Sequence, residues 1–154
     1  MFFSEDMKAL VELFNNHGVE YMLVGGFAVN YYGYIRMTQD IDFLLYPSCE
    51  NAKKIIDALN DFGFGKAGIN RELFERPGSV LHLGVEPNRI DLLTHLKGIS
   101  NEQLFSNKRE ITLHGISMNI IAYHDLLLVK RSSERLRDQA DAEELEKCGH
   151  KNDH

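Results

Sequence analysis

The sequence predicts a single α+β domain on a mixed β-sheet flanked by helices and closed by a long C-terminal helix. Two observations carry that expectation. The 154 residues are 44% apolar and 26% charged, with 12 Gly and only 3 Pro, the balance of one ordinary globular domain rather than a disordered, collagenous or disulfide-stapled chain. Along them, segments with helical and strand periodicity follow in the order αβαβαββαββα, with several strands pairing locally, which favours a mixed sheet over a purely parallel one. A chain this long buries roughly 70% of its unfolded surface and needs no metal to hold it together. A bound metal would then serve chemistry.

The elements follow in order. Ser4 caps a first helix in which Met7, Leu10, Val11 and Phe14 recur at i, i+3, i+4 and i+7, and Gly18 ends it. Residues 19–24 read as a buried strand, broken by Gly25-Gly26, and residues 27–32 return as a short helix before Gly33. Residues 40–46 form a second strand, stopped at Pro47-Ser48, and Ser48 caps a helix over 49–62 with Ile55, Ile56 and Leu59 inward. The glycine-punctuated stretch 63–78 reads as loop with a short helical piece. Residues 79–85 and 89–94 are two strands joined at Glu86-Pro87-Asn88, and residues 100–105 suit a short helix. Residues 110–113 and 116–121 make a hairpin around His114-Gly115, and a long helix runs from about 125 to 147. Residues 1–148 form one domain, and the polar 149–154 is a flexible tail.

Composition excludes several functions. The longest clearly apolar uncharged stretch, 21–29, is far short of the ~20 residues of a membrane helix. The N-terminus is acidic where a signal peptide would be basic, so a soluble, cytoplasmic protein is expected. Cys49 and Cys148 form no CxxC pattern, and the seven histidines contain no HExxH, which argues against a disulfide framework and a zinc hydrolase. The formal net charge of −6 excludes general nucleic-acid coating.

The chemistry concentrates in Leu23-Val24-Gly25-Gly26 and in Arg36-Met37-Thr38-Gln39-Asp40-Ile41-Asp42-Phe43. Side chains two apart on a strand share a face, so Asp40 and Asp42 project together while Ile41 and Phe43 enter the core. Two close carboxylates repel unless a counter-charge relieves them. Mg²⁺ suits such a pair, because it takes one or two carboxylates together with phosphate oxygens and waters. The Gly-Gly break frees backbone N–H groups where a strand passes into a helix, and without a Cβ a phosphate can approach closely.

This hydrophobic-Gly-Gly turn followed by Asp-hydrophobic-Asp-hydrophobic resembles the signature of the polymerase-β-type nucleotidyltransferase superfamily over about residues 19–95. The run Arg36-x-Thr38-x-Asp40-Ile41-Asp42 is similar to small stand-alone members, some of them toxin-type nucleotidyltransferases. The resemblance implies a third carboxylate on a neighbouring strand, and Asp91 sits where it would fall. It also implies two Mg²⁺ ions (or Mn²⁺) on Asp40, Asp42 and Asp91, an NTP as substrate, and Gly25, Gly26, Arg36 and Thr38 around its phosphates. Gly26 stands where many members carry a serine, and Val29-Asn30 where tRNA CCA-adding enzymes carry Arg-Asp.

On the last helix Lys130, Arg137 and Asp141 fall within about 40° of one another at 100° per residue. They form a stripe in which Lys130 reaches phosphate while Asp141 orients Arg137, or else a solvated edge with an Arg137–Asp141 pair. Arg36 either clamps phosphate or pairs with Asp40, and Asp91 has Arg89 as a neighbouring partner. Tyr31, Tyr32 and Tyr34 read as packing residues, and His82 and His95 as structural. The resemblance therefore implies a nucleotidyltransferase moving a nucleoside monophosphate from an NTP to a hydroxyl on a tRNA end, a protein side chain or a small molecule, with the toxin-like members favouring tRNA or a partner protein. The alternative is a non-catalytic nucleotide- or partner-binding module of the same fold, such as a toxin–antitoxin or regulatory subunit.

Overall fold

A computed structural model describes residues 3–149. Helix α1 (Glu5–His17) is capped by Ser4, whose Oγ accepts the Met7 N–H, and is ended by Gly18 in the left-handed region at φ 68°. Strand β1 (Tyr21–Val24) runs directly into the short helix α2 (Gly25–Tyr31), and β2 (Asp40–Leu45) follows. Helix α3 (Cys49–Leu59) starts at Ser48, whose Oγ accepts the Asn51 N–H. It stops three residues before the expected end and continues as a π turn (Asn60–Phe64), where Gly63 at φ 110° cannot prolong an α-helix. A 3-10 turn (Arg71–Phe74) is the helical piece of the glycine-rich stretch. Then come β3 (Val80–Leu83), β4 (Arg89–Leu93), α4 (Asn101–Asn107), β5 (Arg109–Leu113) and β6 (Ile116–Ile120).

The last helix is two helices, α5 (Tyr123–Arg131) and α6 (Leu136–Cys148), which corrects the expectation of one helix over 125–147. The serines between them explain the break. The Ser132 hydroxyl donates to the Leu128 carbonyl at 2.8 Å, and Ser133 Oγ accepts the Arg135 N–H at 3.1 Å. The second takes the Arg135 N–H away from the helical ladder, whereas the Leu128 carbonyl still accepts the ladder N–H of Ser132 as well. Helix α6 then folds back on α5, where the Tyr123 hydroxyl donates to the Leu145 carbonyl at 2.8 Å. The tail expected at 149–154 lies, after Gly149, outside the described residues.

The six strands form one mixed sheet in the order β3-β4-β2-β1-β6-β5. β2 pairs parallel with β4 and antiparallel with β1, β1 pairs parallel with β6, and β3–β4 and β5–β6 pair antiparallel. One face packs on α1: Phe14, Tyr21 and Phe43 meet with ring centroids 5.3–5.9 Å apart, and Ile41, Leu45, Ile90 and Leu92 complete it, all buried. The opposite face carries the charged residues of β2 and β4. The tyrosines do pack: Tyr32 is buried, donates to the Ile121 carbonyl at 2.7 Å, and meets the rings of Tyr31 and Tyr123 edge-on. Among the described residues no helix is long and apolar enough to cross a membrane.

Candidate active site

Register assembles the site. Asp42 on β2 lies opposite Asp91 on β4, His82 on β3 lies opposite Asp91, and Val24 at the end of β1 lies opposite Asp42. Cross-strand partners share a face, so His82, Asp91, Asp42 and Val24 form one row across four strands. Asp40 and Arg89, two residues back on their strands, form the next row. As a result one carboxylate oxygen from each of Asp40, Asp42 and Asp91 lies within 4.8 Å of the others. Only the first two acids are neighbours in sequence; the parallel pairing of β2 with β4 supplies the third.

The electrostatics of this cluster are strained in one place and relieved in another. The Asp42 carboxyl is pushed up to about 8, first by burial and then by the charges of Asp40 and Asp91. Asp40 is also raised, by burial and by Asp91. Asp91 is held below the ordinary carboxylate range: burial would raise it, but hydrogen bonds from Arg89 and His82 outweigh that. His82 Nδ1 lies 2.6 Å from Asp91 Oδ1, and Arg89 Nε donates to the same oxygen at 2.8 Å. A hard divalent cation fits this set, since three carboxylates supply anionic oxygen ligands and the repulsion at Asp42 is the energy its charge would remove.

The glycine turn closes the site from the β1 side. Gly25 sits at φ +67°, and a Cβ there would overlap the Asp42 carboxylate, while a Cβ at Gly26 would come within 2.7 Å of Thr38 Oγ1. The turn is therefore glycine because a carboxylate and a hydroxyl pack against bare backbone. Gly25→Ala combines a strained backbone with that overlap and is expected to lower the melting temperature by several degrees, since a forced left-handed residue costs about 1–3 kcal/mol. It should also displace Asp42 and weaken metal-dependent nucleotide binding at least tenfold. Thermal melts and calorimetric titration of the variant check both.

The cations are arranged differently from the helical stripe. Arg36 pairs with neither Asp40 nor free space: its Nε and Nη2 donate to the two carboxylate oxygens of Asp141, both at 2.8 Å. Lys130 Nζ lies 2.9 Å from Asp138 Oδ1 and 3.0 Å from Asp141 Oδ2, so Asp141 holds Arg36 and Lys130 rather than orienting Arg137. In a straight helix Asp138 would stand about 12 Å along the axis from Lys130; the break at 132–135 brings it within reach. Arg137 is exposed and lines the mouth of the cavity beside Arg135 and Arg89. Thr38 Oγ1 donates to the Asp40 carbonyl at 3.1 Å, which ties the loop bearing Arg36 to the first acid.

Two adjoining cavities, each of about 330 Å³, meet at Gly25, Asp42 and Lys130. One is polar and holds the three acids, the glycine turn, Arg36, Arg89 and Arg137. The other is lined by Val24, Leu93, Leu96, Leu126 and Val129, with Lys97 and Glu134 among its charged residues. All nine residues singled out in the sequence, Gly25, Gly26, Arg36, Thr38, Asp40, Asp42, Asp91, Lys130 and Arg137, line the polar cavity. Sequence reasoning set His82 aside as structural, yet it touches Asp91; a hairpin turning between Glu86 and Pro87 pairs residues whose numbers sum to 173, and that count would have found it. His95 is exposed and does not line the cavity. Arg135 had no sequence signal, because it enters the cavity only through the helix break.

No sequence-family profile matches the chain, and no curated protein matches it. Solved structures do. The lincosamide antibiotic adenylyltransferase LnuA, bound to lincomycin, superposes with a TM-score of 0.56 at 15% identity, over 96% of this chain and 98% of its own. A nucleotidyltransferase candidate of Thermotoga maritima superposes with a TM-score of 0.58 at 15% identity, over 92% of this chain and 88% of its own. With the mixed six-stranded sheet and its flanking helices, these likenesses show that the chain has the nucleotidyltransferase fold.

Proposed function

We propose that the protein is a metal-dependent nucleotidyltransferase that moves a nucleoside monophosphate from an NTP to a hydroxyl acceptor and releases pyrophosphate. The observation that carries this reading is the convergence of three carboxylates from two parallel strands, facing a glycine turn, in a cavity rimmed by arginines. Asp40, Asp42 and Asp91 would hold Mg²⁺ or Mn²⁺. When bound, such ions lower the pKa of an attacking hydroxyl and stabilise the charge on the departing pyrophosphate. The chain's own groups do the rest. Gly25 and Gly26 give Asp42 and Thr38 room at the turn and would offer its backbone N–H groups to phosphate, Lys130 stands between the two cavities as a fixed positive charge, and Arg137 with Arg135 meets the phosphates at the mouth. Arg36 orders the loop that carries Thr38 into Asp40.

The acceptor class we assign is a small hydroxylated molecule, ahead of a tRNA end or a protein side chain. The cavity of about 330 Å³ beside Asp42 combines an apolar wall with charged residues at its rim, a lining that suits a small molecule, and the net charge of −6 offers no general attraction for RNA. LnuA, of the same fold, is a lincosamide antibiotic adenylyltransferase.

A thermal-shift titration with each NTP, with and without Mg²⁺, tests the reading. A ligand at about 100 times its Kd adds ~2.7 kcal/mol, which for a domain of this size raises Tm by roughly 5–10 °C. The shift should require Mg²⁺ and vanish in Asp40→Ala/Asp42→Ala. No shift with any NTP would leave the fold without the activity and favour a non-catalytic module, such as a toxin–antitoxin or regulatory subunit.

A further inference from the structure

Arg89 sits in the place a cation would take. Its Nε donates to Asp91 Oδ1 at 2.8 Å, and its Nη2 donates both to Asp91 Oδ2 at 3.0 Å and to Asp40 Oδ2 at 2.8 Å. One guanidinium thus clasps both oxygens of Asp91 and bridges to Asp40 across the β2–β4 pairing, while Asp42 lies outside the clasp. Both oxygens of Asp91 are engaged, whereas Asp40 keeps Oδ1. A divalent ion bound by the three acids would share Asp91 with the guanidinium, and the two cations would repel at such separations, so the ion's entry loosens Arg89.

The side chain is placed to leave. It is 28% exposed, it lines the polar cavity together with Arg135, Arg137 and Lys130, and its Nη1 lies 3.5 Å from Glu86 Oε1 on the outer side. Moving Arg89 off the carboxylates and adding a dication would leave this cavity with a large excess of positive charge. Phosphate oxygens cancel that excess, and a guanidinium matches them in a two-pronged geometry that it also uses on Asp91.

We propose that Arg89 is a resident counter-ion that makes metal binding conditional on nucleotide: it clasps Asp91 and Asp40 in the metal-free site and passes to the triphosphate when metal and NTP enter together. The inference rests on the nucleotidyl-transfer reading and adds a coupling to it. The metal alone binds poorly because it must displace Arg89, which then keeps only its solvent-exposed contact with Glu86. Metal with nucleotide binds well because the displaced group gains a new partner. By linkage, each ligand then strengthens the other by the same factor.

The test compares wild type with Arg89→Ala and Arg89→Gln; the second keeps a hydrogen-bonding side chain without the charge, should the first fold poorly. Binding of Mn²⁺ alone is read from the loss of its free-ion paramagnetic resonance signal, and binding of each Mg·NTP by calorimetry. Both variants should bind Mn²⁺ alone about tenfold or more tightly than wild type, and Mg·NTP about tenfold more weakly, within the range usual for coupled sites. Those opposed changes are the signature, because a purely structural arginine would weaken both when removed. Mn²⁺ affinity unchanged or weakened in both variants overturns the inference alone. No Mn²⁺ or NTP binding by any of the three proteins overturns it together with the nucleotidyl-transfer reading.

Discussion

Asp42→Asn is expected to abolish Mg²⁺-dependent nucleotide binding and, in the same protein, to raise the melting temperature of the metal-free form at pH 8. The two effects have one cause. Asp42 is half-buried between Asp40 and Asp91, and burial first, then the two neighbouring charges, pushes its carboxyl up to about 8 from an ordinary 3.8. The folded protein therefore holds that proton more tightly than the unfolded chain does. The stability this contributes is fully present below about pH 4 and is lost as pH rises towards 8, because ionising the group in place costs more than ionising it in water. Asparagine keeps the shape and removes the charge. It should regain about 1–3 kcal/mol at pH 8, discounted for the group's partial exposure, or roughly 3–10 °C in Tm. Melts of both proteins in chelator at pH 5, 6, 7 and 8 check this: the wild-type curve should fall with pH and the variant's should be nearly flat. A variant melting below wild type at pH 8 would place the strain elsewhere.

The same variant should lose transfer activity about a thousandfold or more, since losing one of three metal ligands removes several kcal/mol of charge stabilisation and each 1.4 kcal/mol is tenfold in rate. Mg²⁺ should reverse the wild-type loss of stability at pH 8 and release protons as it binds. A site that is unstable without its ligand and inactive without its strain is a common compromise between stability and function.

Asp141→Ala is expected to be the most destabilising single change in the charged network. Asp141 is 1% exposed and accepts from both Arg36 and Lys130, whose side chains are 16% and 9% exposed. Removing it leaves two largely buried cations without their shared partner, which costs about 3–5 kcal/mol and about 10 °C in Tm. Asp141 itself is held below the ordinary carboxylate range: burial would raise it, but the bonds from Arg36 and Lys130 prevail. Its contribution is therefore present above about pH 4 and lost as pH falls through the depressed value, the opposite sign to Asp42. The acid limb of the wild-type melting curve should shrink in Asp141→Ala, Asp91 and Asp138 supplying what is left of it, while the alkaline limb remains. Adding Arg36→Met should recover part of the lost stability, because Arg36 loses both its carboxylate bonds while Lys130 keeps Asp138; a strictly additive double variant would argue against the coupling of Arg36 and Asp141.

The fold was legible because its signals are local. Ser4 and Ser48 accept the N–H groups of Met7 and Asn51 as their positions before helical runs predict. Strand periodicity placed Ile41 and Phe43 in the core and the acids on the other face. The helix break at 132–135 was not legible, because Leu126, Val129 and Leu136 continue a helical pattern through it. What ends the helix there is the Ser133 hydroxyl taking the Arg135 N–H, together with the buried charges that reward folding α6 back.

The sequence by itself determined the acid pair, because a strand has period two, and the glycine turn, because only glycine tolerates φ +67° against a carboxylate. It also gathered the right set of charged residues for one cavity. Only the tertiary structure decided which charge meets which. Arg36 finds Asp141 at a separation of 105 positions, Arg89 finds Asp40 at one of 49, and His82 finds Asp91 through strand register. Ion pairs of this kind have no periodic signature. Any of five cations stood a comparable chance with any acid until sheet register and one broken helix fixed the distances at which Coulomb energy and desolvation choose between them.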